Sequence, residues 1–555
     1  MTQILIHYMA PIMFGSLVVF LLLGYPVAFA LAANGLFFGL IGIELGLFRP
    51  DFLGALPERV YGVMNNDTLL AIPFFTFMGL ILERSGMAED LLDTIGQLFG
   101  TIRGGLAYAV IFVGALLAAT TGVVAASVIS MGLIALPIML RYGYDRRVAT
   151  GIIAASGTLA QIIPPSLVLI VMADQLGRSV GDMYEGAFIP GLVLSAIYAS
   201  YVFLVATLKP AAAPGLPVEA LTYKEPDGSR GLPSLAVVVL FSGVSAYLYM
   251  RTTGVSAGSD FVVLTMSLGV AIAFSLAIIN RFLRLKLLSV MAEQVIFVMV
   301  PPLALIFLVL GTIFIGVATP TEGGAMGAVG AMLLAIAKRR LTFDLTRQAA
   351  QSTAKLASFV IFILIGARVF SLTFYGVDGH HWVEELLVGL PGGQMGFLIL
   401  VNVFVFLLAF FLDFFEIAFI VIPLLAPAAT KLDIDLIWFG VILAVNMQTS
   451  FMHPPFGFAL FYLRSVAPRS PYIDRVTGKT MPPVTTGEIY WGAVPFVFIQ
   501  CIMVALVITF PGMVMHYKSG RVVSDPSKVE EQLRNLPGIE MPPPIQFDMP
   551  PPVIK

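Results

Sequence analysis

Long apolar runs separated by short polar or charged loops cover most of this chain of 555 residues. An α-helix needs about 20 predominantly apolar residues to cross a bilayer. Many runs reach this length, and the first, from about Pro11 to Ile43, is long enough for two helices separated at Pro26. The pattern predicts an all-α polytopic membrane protein with about 12–14 transmembrane helices and two re-entrant hairpins.

Two of the apolar runs contain adjacent prolines with polar neighbours. The run 148–173 contains Gly157-Thr-Leu-Ala-Gln-Ile-Ile-Pro-Pro-Ser166, and the run 436–463 contains Asn446-Met-Gln-Thr-Ser-Phe-Met-His-Pro-Pro-Phe-Gly457. A proline pair removes two backbone donors and interrupts a helix. In hydrocarbon such a break is tolerated where protein or a water-filled cavity receives the freed carbonyls. Two broken helices in corresponding places are typical of a transporter core.

The two proline pairs belong to an internal repeat. A constant offset of 290 relates four pairs of residues: Pro137 and Pro427, Asp145 and Asp435, Pro164 and Pro454, Pro165 and Pro455. Apolar bias does not explain matches between prolines and aspartates, although two unrelated kinked helices are the alternative. Such repeats usually have opposite orientations, so we expect an inverted repeat. The number of membrane crossings between the two copies is ambiguous in the sequence, so it does not decide whether the repeat is inverted.

The repeat suggests a division of the chain. We predict a first repeat half at 1–208, with a hairpin at 65–99, and a second half at 291–511. A polar linker with two extra apolar segments (209–290) joins them, and a proline-rich soluble tail (512–555) follows. The interruption at 120–127 is either a packing face of small residues or a place where backbone carbonyls are exposed.

Composition narrows the class of protein. Hydrophobic residues make up 58% of the chain and charged residues 12%, against about 25% charged in globular proteins, and the mean hydropathy is +0.95. We therefore expect a lipid bilayer around the chain and no nucleic-acid partner. The amino terminus lacks a basic region and a cleavage site, which predicts a retained first helix. Cys501, the one cysteine, excludes an intrachain disulfide.

Basic residues are concentrated in three clusters, at 141–147, 281–286 and 338–340. The positive-inside rule places all three in the cytoplasm. The apolar segments between them are even in number, which is consistent with this placement.

A few ionisable residues lie in apolar surroundings, where charges usually face a pathway or the interior of the bundle. Asp413 and Glu416, one helical turn apart, either share a cation or lie at the surface. Glu322 either binds an ion or caps a helix. Arg368 either holds a substrate carboxylate or pairs with Asp413 or Glu416.

Hydroxyl, amide and carboxylate oxygens are suitable ligands for sodium. The residues assigned to sodium are Thr158, Thr319, Thr321, Glu322, Asp413, Gln448 and Thr449. The residues assigned to substrate are Gln161, Ser166, Arg368, Asn446 and His453. His453 stands where the first copy has Ile163, and it can shuttle protons, bind an anion or simply pack.

Enzyme motifs fail on inspection. Gly254-Val-Ser-Ala-Gly258 lies between two membrane helices with no preceding strand. Gly478-Lys-Thr480 resembles the end of a phosphate-binding loop, but Ile473 stands where the first glycine belongs. We expect no enzyme activity and no ATPase, so an ion gradient must drive any pumping.

At these motifs the chain resembles the large membrane subunit of tripartite ATP-independent periplasmic (TRAP) transporters, from about residue 11 to 511. The segments that carry the resemblance are Leu69-Leu-Ala-Ile-Pro-Phe-Phe75 with Gly79, Ile162-Ile-Pro-Pro-Ser166, Thr319-Pro-Thr-Glu322, Asp413 and Pro454-Pro-Phe-Gly457. Two features depart from the family pattern. Residues 120–127 replace a Gly/Ser-rich motif, and His453 replaces a frequent threonine.

The resemblance implies a sodium-coupled importer of organic acids in a bacterial inner membrane. Its partners would be a small membrane subunit and a periplasmic substrate-binding protein, and Na⁺ would be the coupling ion. It also implies an elevator-type mechanism, in which hairpins and broken helices move against a scaffold. The alternative is an ion channel or an uncoupled pore, for which broken helices also serve.

Overall fold

The structure is a computed structural model that describes residues 6–223, 225, 231–253, 258–285, 287–474 and 476–517. The predicted tail beyond Tyr517 lies outside these residues. The helices are α1 (Met9–Leu22), α2 (Val27–Glu44), α3 (Leu56–Met64), α4 (Asp67–Arg84), α5 (Met87–Phe99), α6 (Gly105–Thr121), α7 (Val124–Arg141), α8 (Arg146–Thr158), α9 (Leu167–Leu176), α10 (Val180–Leu208), α11 (Leu232–Thr252), α12 (Ser259–Leu283), α13 (Val290–Phe314), α14 (Pro320–Ala337), α15 (Phe343–Gly376), α16 (Gly379–Val388), α17 (Gly393–Leu408), α18 (Phe414–Ile420), α19 (Ile422–Lys431), α20 (Leu436–Ser450), α21 (Phe458–Val466), α22 (Thr486–Thr509) and α23 (Gly512–Met515). Strands β1 (Tyr472–Ile473) and β2 (Thr480–Met481) form a small antiparallel ladder.

The helices confirm the all-α polytopic membrane class. Within the described residues, nine helices are long and apolar enough to cross a membrane. The number rises to twelve if each of three bent helix pairs is counted as one span. Twelve is the lower end of the predicted range.

Helices α6 and α7 form a helical hairpin, called hairpin 1. Gly122 ends α6 with φ +58°, in the left-handed region that glycine enters without strain, and Val123 is extended. At the other end, the backbone N–H groups of Gly104 and Asp145 donate to the neighbouring carbonyls of Ala213 and Ala212. The base of the hairpin is therefore closed, and the predicted interruption at 120–127 contains its tip.

Helices α17, α18 and α19 form a second hairpin, called hairpin 2. Its base is closed by Gln394, whose side chain donates to the carbonyl of Leu432 at 2.7 Å. Its tip lies at Leu412 and Asp413, where α18 begins. The offset of 290 maps the tip of hairpin 1 at Gly122 onto Leu412, so the hairpins are members of the repeat.

The structure differs from the prediction of a re-entrant hairpin at 65–99. The polar start of this segment is a helix cap, because the Asn66 side chain accepts from the N–H of Thr68. The following helix, α4, is continuous through Pro73 and packs along α14. Helix α5 is amphipathic, and its Asp90 pairs with Lys338 and Arg340. The segment is therefore one continuous helix followed by an amphipathic one, and Asp90 is used in ion pairs at one end of the bundle.

The two broken helices are confirmed. Helices α8 and α9 are separated by a short 3₁₀ turn and the Pro164–Pro165 pair, and α20 and α21 by the Pro454–Pro455 pair. Both Pro–Pro peptide bonds are cis. Asp145 and Asp435 cap the first helix of each pair in the same way, each accepting two backbone N–H bonds. We call the segments 159–166 and 451–457 break 1 and break 2.

Helix α22 shows that the repeat is inverted. Gly151, near the start of α8, packs against Gly492 near the start of α22. Trp438, near the start of α20, donates to the carbonyl of Val507 near the end of α22. The two helices therefore begin at opposite ends of α22 and run toward each other, so the predicted inversion is confirmed.

The remaining long helices flank the repeat core. Helix α2 packs along α15, and α4 packs along α14. Gly324 and Gly327 allow the second approach, since a Cβ atom at Gly327 would lie 2.5 Å from Met78 Sδ. The two extra apolar segments of the sequence are α11 and α12, which pack with α13. Their core contains Val238, Ala277, Ile296 and Val300.

The basic clusters lie at one end of the molecule. Asp90 on α5 pairs with Lys338 and Arg340, and Asp93 on α5 lines the same small cavity as Arg141. Gln97 of α5 also bonds the linker, at the carbonyl of Ala220. The linker in turn contacts the 281–293 region, where Glu225 accepts from the N–H of Val290. This end is called the basic end.

Candidate functional site

The tips of both hairpins and both helix breaks meet around one cavity of about 280 Å³, called the tip cavity. Hairpin 1 contributes its tip residues, and hairpin 2 contributes Asp413. Helix α15 closes one side. The lining residues are Gly122, Val123, Val124, Ala125, Gln161, Leu167, Leu356, Phe359, Asp413, Phe414, Phe415, Phe451, Phe458 and Tyr462. The walls are mainly apolar, and three side chains bring polar chemistry: Gln161, Asp413 and Tyr462.

Asp413 and Glu416 cap α18 reciprocally. Asp413 Oδ1 accepts from the N–H of Glu416, and Glu416 Oε2 accepts from the N–H of Asp413, both at 2.9 Å. The box satisfies two N–H groups at the helix start. Asp413 also lines the tip cavity, and Glu416 does not. For Asp413 the structure therefore favours a place at the cavity over one at the outer surface. A carboxylate held rigidly at a hairpin tip is a suitable ligand for a cation.

Gln161 is a buried amide without a partner among the described residues. It is 1% exposed, and neither its Nε2 nor its Oε1 has a hydrogen-bond partner. Leaving such a group unpaired is costly, so buried polar groups are normally bonded. The Gln161 main chain is anchored, because Ser166 Oγ donates to its carbonyl at 2.6 Å. Gln161 is thus free to bond to a molecule in the tip cavity, and Ser166 positions it.

Thr158 and Gln448 occupy equivalent places in the two copies and bond to each other. Gln448 Nε2 donates to Thr158 Oγ1 at 3.1 Å, and Thr158 donates to the carbonyl of Ala155. Gln500 Nε2 lies 3.5 Å from the same hydroxyl and 2.9 Å from the hydroxyl of Tyr198. These side chains join the two inverted helices to α22 and α10. Neither Thr158 nor Gln448 lines the tip cavity.

The polar side chains before break 2 are also occupied. Asn446 donates to Asn402 on hairpin 2, both to its carbonyl and to its side-chain oxygen. Thr449 and Ser450 donate to carbonyls one turn back. The Asn446 bonds fix α20 to hairpin 2, and neither Asn446 nor Thr449 lines the tip cavity.

His453 is packed between aromatic rings. Its imidazole stacks on Phe410, with centroids 3.8 Å apart and planes 13° apart, and it meets Phe406 edge-on. It is 3% exposed, and neither ring nitrogen has a partner among the described residues. His453 does not line the tip cavity. The stacking favours the packing interpretation.

The motif Thr319-Pro-Thr-Glu322 forms a capping box at the start of α14. Glu322 Oε2 accepts from the N–H of Thr319 at 2.8 Å, and Thr321 Oγ1 donates to the carbonyl of Asp67 at 2.6 Å. Both residues sit where α14 and α4 begin, away from the hairpin tips. Thr319, Thr321 and Glu322 were assigned to sodium from the sequence, and none of them lines the tip cavity with Asp413. Capping, the alternative left open for Glu322, is confirmed.

Arg368 does not pair with Asp413 or Glu416, so that alternative is wrong. It lies on α15 three helical turns beyond Leu356 and lines a different cavity of about 700 Å³. The two cavities are neighbours along α15, and Phe359 and Phe415 belong to the tip cavity. The structure thus separates Arg368 from Gln161, with which the sequence had grouped it.

Comparison with known proteins decides the family. The family model described as "Tripartite ATP-independent periplasmic transporter, DctM component" matches residues 14–513. The chain belongs to this family. It is 28% identical over 434 residues to the C4-dicarboxylate TRAP transporter large permease protein DctM of Pseudomonas aeruginosa, covering 77% of this chain and 84% of that protein.

Other relatives of this TRAP permease carry other names. The ectoine TRAP transporter large permease protein TeaC of Halomonas elongata is 24% identical, covering 91% of this chain and 97% of that protein. The sialic acid TRAP transporter permease protein SiaT of Haemophilus influenzae is 22% identical, covering 89% of this chain and 66% of that protein. The recognition made from the sequence motifs is confirmed.

Three residues that line the tip cavity of this TRAP permease were not predicted from the sequence. Tyr462 lines the tip cavity from α21, and Leu356 and Phe359 line it from α15. Leu356 and Phe359 are three residues apart, as residues on one helix face are. Tyr462 is the aromatic hydroxyl nearest after break 2 in the sequence. Position relative to the break is the one signal that would have singled it out.

Proposed function

We propose that this TRAP permease is a sodium-coupled secondary transporter subunit that imports a small organic acid by an elevator mechanism. It acts in the inner membrane of a bacterium, with a small membrane subunit and a periplasmic substrate-binding protein that delivers the acid. One observation carries the proposal: two inverted hairpins and two broken helices direct their tips and breaks into one cavity. Midplane sites at the interface of inverted repeats are the usual location of ligands in secondary transporters.

Chemistry at the tip cavity supports sodium as the coupling ion. Asp413 supplies a carboxylate, and Gln161 supplies an amide oxygen that has no other partner among the described residues. Sodium, as a hard cation, is bound by oxygen ligands, including the backbone carbonyls of unwound segments. The extended Val123 at the tip of hairpin 1 brings backbone of that kind to the same cavity.

The relatives support an organic acid as substrate. Two of them are named for C4-dicarboxylates and sialic acid, and a third for ectoine. A cavity of about 280 Å³ lies just below the range of about 300–1,000 Å³ that is usual for small-molecule sites. It would accommodate a small acid rather than a large one.

The packing supports movement of the repeat core as one body. Hairpins, breaks and α22 are joined by buried contacts such as Thr158–Gln448 and Asn446–Asn402. Contacts from α4 to this core include two single hydrogen bonds, from Ser130 to Glu83 and from Asn66 to Asp174. Helix α4 also packs against α6, α7 and α9 of this core. The two hydrogen bonds lie at opposite ends of α4, and each is of a kind that breaks and re-forms at low cost.

A reconstitution experiment tests the proposal. The chain, with its small membrane subunit, is placed in vesicles, and the binding protein loaded with labelled acid is added outside. We expect uptake with an inward sodium gradient and none when sodium is replaced by potassium. Equal uptake in both conditions would refute coupling. Single-channel currents, or flux far above about 10³ per second, would favour the channel or uncoupled pore instead.

A further inference from the structure

The cavity that contains Arg368 has not been assigned a role. Its volume of about 700 Å³ lies within the usual range for small-molecule sites. It is bounded by α15, by α3, by the end of α9 and by hairpin 2, so it lies between moving and static parts of the proposed elevator. We call it the arginine cavity, after Arg59 on α3 and Arg368 on α15, which both line it.

Both arginines lack an anionic partner in the structure. Among the described residues, neither Arg59 nor Arg368 takes part in a salt bridge or a side-chain hydrogen bond, whereas Lys431 of hairpin 2 is paired with Glu384. Asp174 is the carboxylate of the cavity, and its oxygens already accept from the amides of Asn66 and Gln175. The lining therefore carries two free guanidinium groups against one engaged carboxylate. Guanidinium groups bind carboxylates in bidentate fashion.

The arginine cavity lies at the end of the molecule opposite the basic end. Asn66, bonded to Asp174 here, starts α4, and Arg84 at the other end of α4 bonds to Gln348 and Ser352 near the basic cluster 338–340. A helix of 18 residues is about 27 Å long. If the basic end is cytoplasmic, the arginine cavity faces the periplasm.

A row of phenylalanines separates the arginine cavity from the tip cavity. Phe419 lines the arginine cavity, while Phe415, one turn away on α18, lines the tip cavity. Their rings stack at 6.3 Å, and Phe359 on α15 meets Phe415 edge-on at 6.4 Å. The two cavities therefore lie in sequence along the cleft between α15 and hairpin 2.

We propose that the arginine cavity is a second binding site for an organic carboxylate, which Arg59 and Arg368 receive before the acid reaches the tip cavity. The proposal rests on the proposed function in one respect, that the anion it receives is the transported acid. The binding site itself does not depend on sodium or on movement. It can therefore be tested without transport.

The test uses charged thiol reagents on the full-length chain. Cys501 is replaced by Ser, and Ser371→Cys places one thiol on α15 in the arginine cavity. We compare the labelling rates of an anionic and a cationic methanethiosulfonate, each divided by its rate with free cysteine. We expect the anion to react faster, and R59Q/R368Q to lower the anion-to-cation ratio roughly tenfold, because two positive charges are removed from the cavity that Ser371 lines.

Three further variants sharpen the result. Arg49→Gln is the matched control, since Arg49 is exposed and paired with Asp51 outside the cavity, and it should leave the ratio unchanged. R59K/R368K keeps both charges, so the ratio should persist. Millimolar succinate should slow labelling of the parent protein, and less so that of the lysine variant, which has lost bidentate binding. A ratio near one, or a ratio unaffected by R59Q/R368Q, would overturn the binding site.

Uptake measurements then test the entry role. In vesicles, R368Q should raise the acid concentration for half-maximal uptake several-fold while the sodium dependence stays the same. If anion preference is lost but uptake is unchanged, the entry role is refuted. If the parent chain shows charge-selective labelling but no sodium-dependent uptake, the proposed function fails and the anion site stands.

Discussion

The two inverted copies share a backbone frame but not their chemistry. Each has a hairpin, a capping aspartate at Asp145 or Asp435, and a break at a cis proline pair. The tip of hairpin 1 is Gly122 and Val123, without charge, whereas the tip of hairpin 2 is capped by the carboxylates of Asp413 and Glu416.

At the helix breaks, it is the first copy that supplies the polar side chain to the tip cavity. Break 1 presents Gln161, an amide with no partner among the described residues, to the tip cavity. In break 2, His453 stacks on Phe410 and does not line the tip cavity. A symmetric frame thus delivers one carboxylate from one copy and one amide from the other. The repeated backbone determines where the side chains of the two copies meet. The residue types at the tips and breaks determine what those side chains can bind.

Asp413→Asn is expected to have the largest effect. It keeps the shape of the cap but removes the charge that faces the tip cavity, so sodium-dependent uptake in vesicles should fall on the order of 100-fold, as expected for losing a charge-assisted ligand contact. Glu322→Gln, in the capping box away from the cavity, is the matched control and should retain uptake. Equal losses in the two variants would mean that the carboxylates act through folding, not through the cavity.

Gln161→Leu should reduce uptake about tenfold, since one unpaired buried amide is lost as a ligand. The melting temperature should not fall, because the amide makes no bond among the described residues. Gln448→Leu is the contrasting variant: its amide bonds to Thr158, so stability should fall by about 1–3 kcal/mol. Uptake per folded molecule should persist. If Gln161→Leu were the destabilising variant, the assigned roles would be reversed.

The bases of the hairpins differ in how firmly they are held, and Asp474→Asn tests this. Arg141 donates three hydrogen bonds, from Nε and Nη2, to the carboxylate of Asp474 in the β-ladder loop. Lys431 of hairpin 2 pairs with Glu384 in a more exposed position. Asp474→Asn should lower the melting temperature by roughly 2–4 °C at neutral pH. Glu384→Gln should lower it less.

The loss should depend on pH in a defined direction. Hydrogen bonds from Arg141, and then from Thr477, lower the pKa of the Asp474 carboxyl below its usual range. A lowered pKa contributes stability that is present above the ordinary carboxyl pKa of about 4 and is lost as the pH falls through the folded-state value. The difference between the parent and Asp474→Asn should therefore shrink in acid. A constant difference would contradict the ion-pair explanation.

His453→Phe should have the smallest effect. The ring can still stack on Phe410, and the imidazole does not reach the tip cavity, so uptake should stay within about twofold and the melting temperature should be kept. His453→Ala, which removes the stack, should lower the melting temperature instead. A large loss of uptake in His453→Phe with normal stability would show that the ring nitrogens bind substrate or protons.

Much of the fold could be predicted from local patterns. Apolar runs mark helices because the bilayer requires internal bonding of every backbone group. The two proline pairs with polar neighbours mark the breaks, whereas Pro301-Pro302, in wholly apolar surroundings, lies inside the continuous helix α13. The hairpins were harder to locate. The tip Gly122-Val123 contains no charge or proline, so its sequence looks like that of an apolar helix. The polar stretch Asn65-Asn-Asp-Thr68 looks like a hairpin tip in the sequence, but it is a helix cap.

The candidate site was predicted in part. Asp413 and Gln161 were both singled out, and the structure brings them to one cavity. Thr158, Gln448 and Asn446 have the right chemistry at the right breaks, but their side chains bond to one another or to Asn402. Which polar group near a break is occupied depends on neighbours that are 44 residues away for Asn446 and 290 residues away for Gln448, and no local pattern encodes such contacts.

The sequence by itself determined the membrane class, the two broken helices and the family, because hydropathy and proline act through the chain's own backbone. Tertiary structure alone decided the inversion of the repeat, the meeting of both hairpin tips, and the separation of Arg368 from Asp413. These features depend on which helix faces pack together. That packing is set by the fit between side chains that lie far apart in the sequence. Among the described residues, the amide of Gln161 and the guanidinium groups of Arg59 and Arg368 are seen to lack partners only after that packing is known.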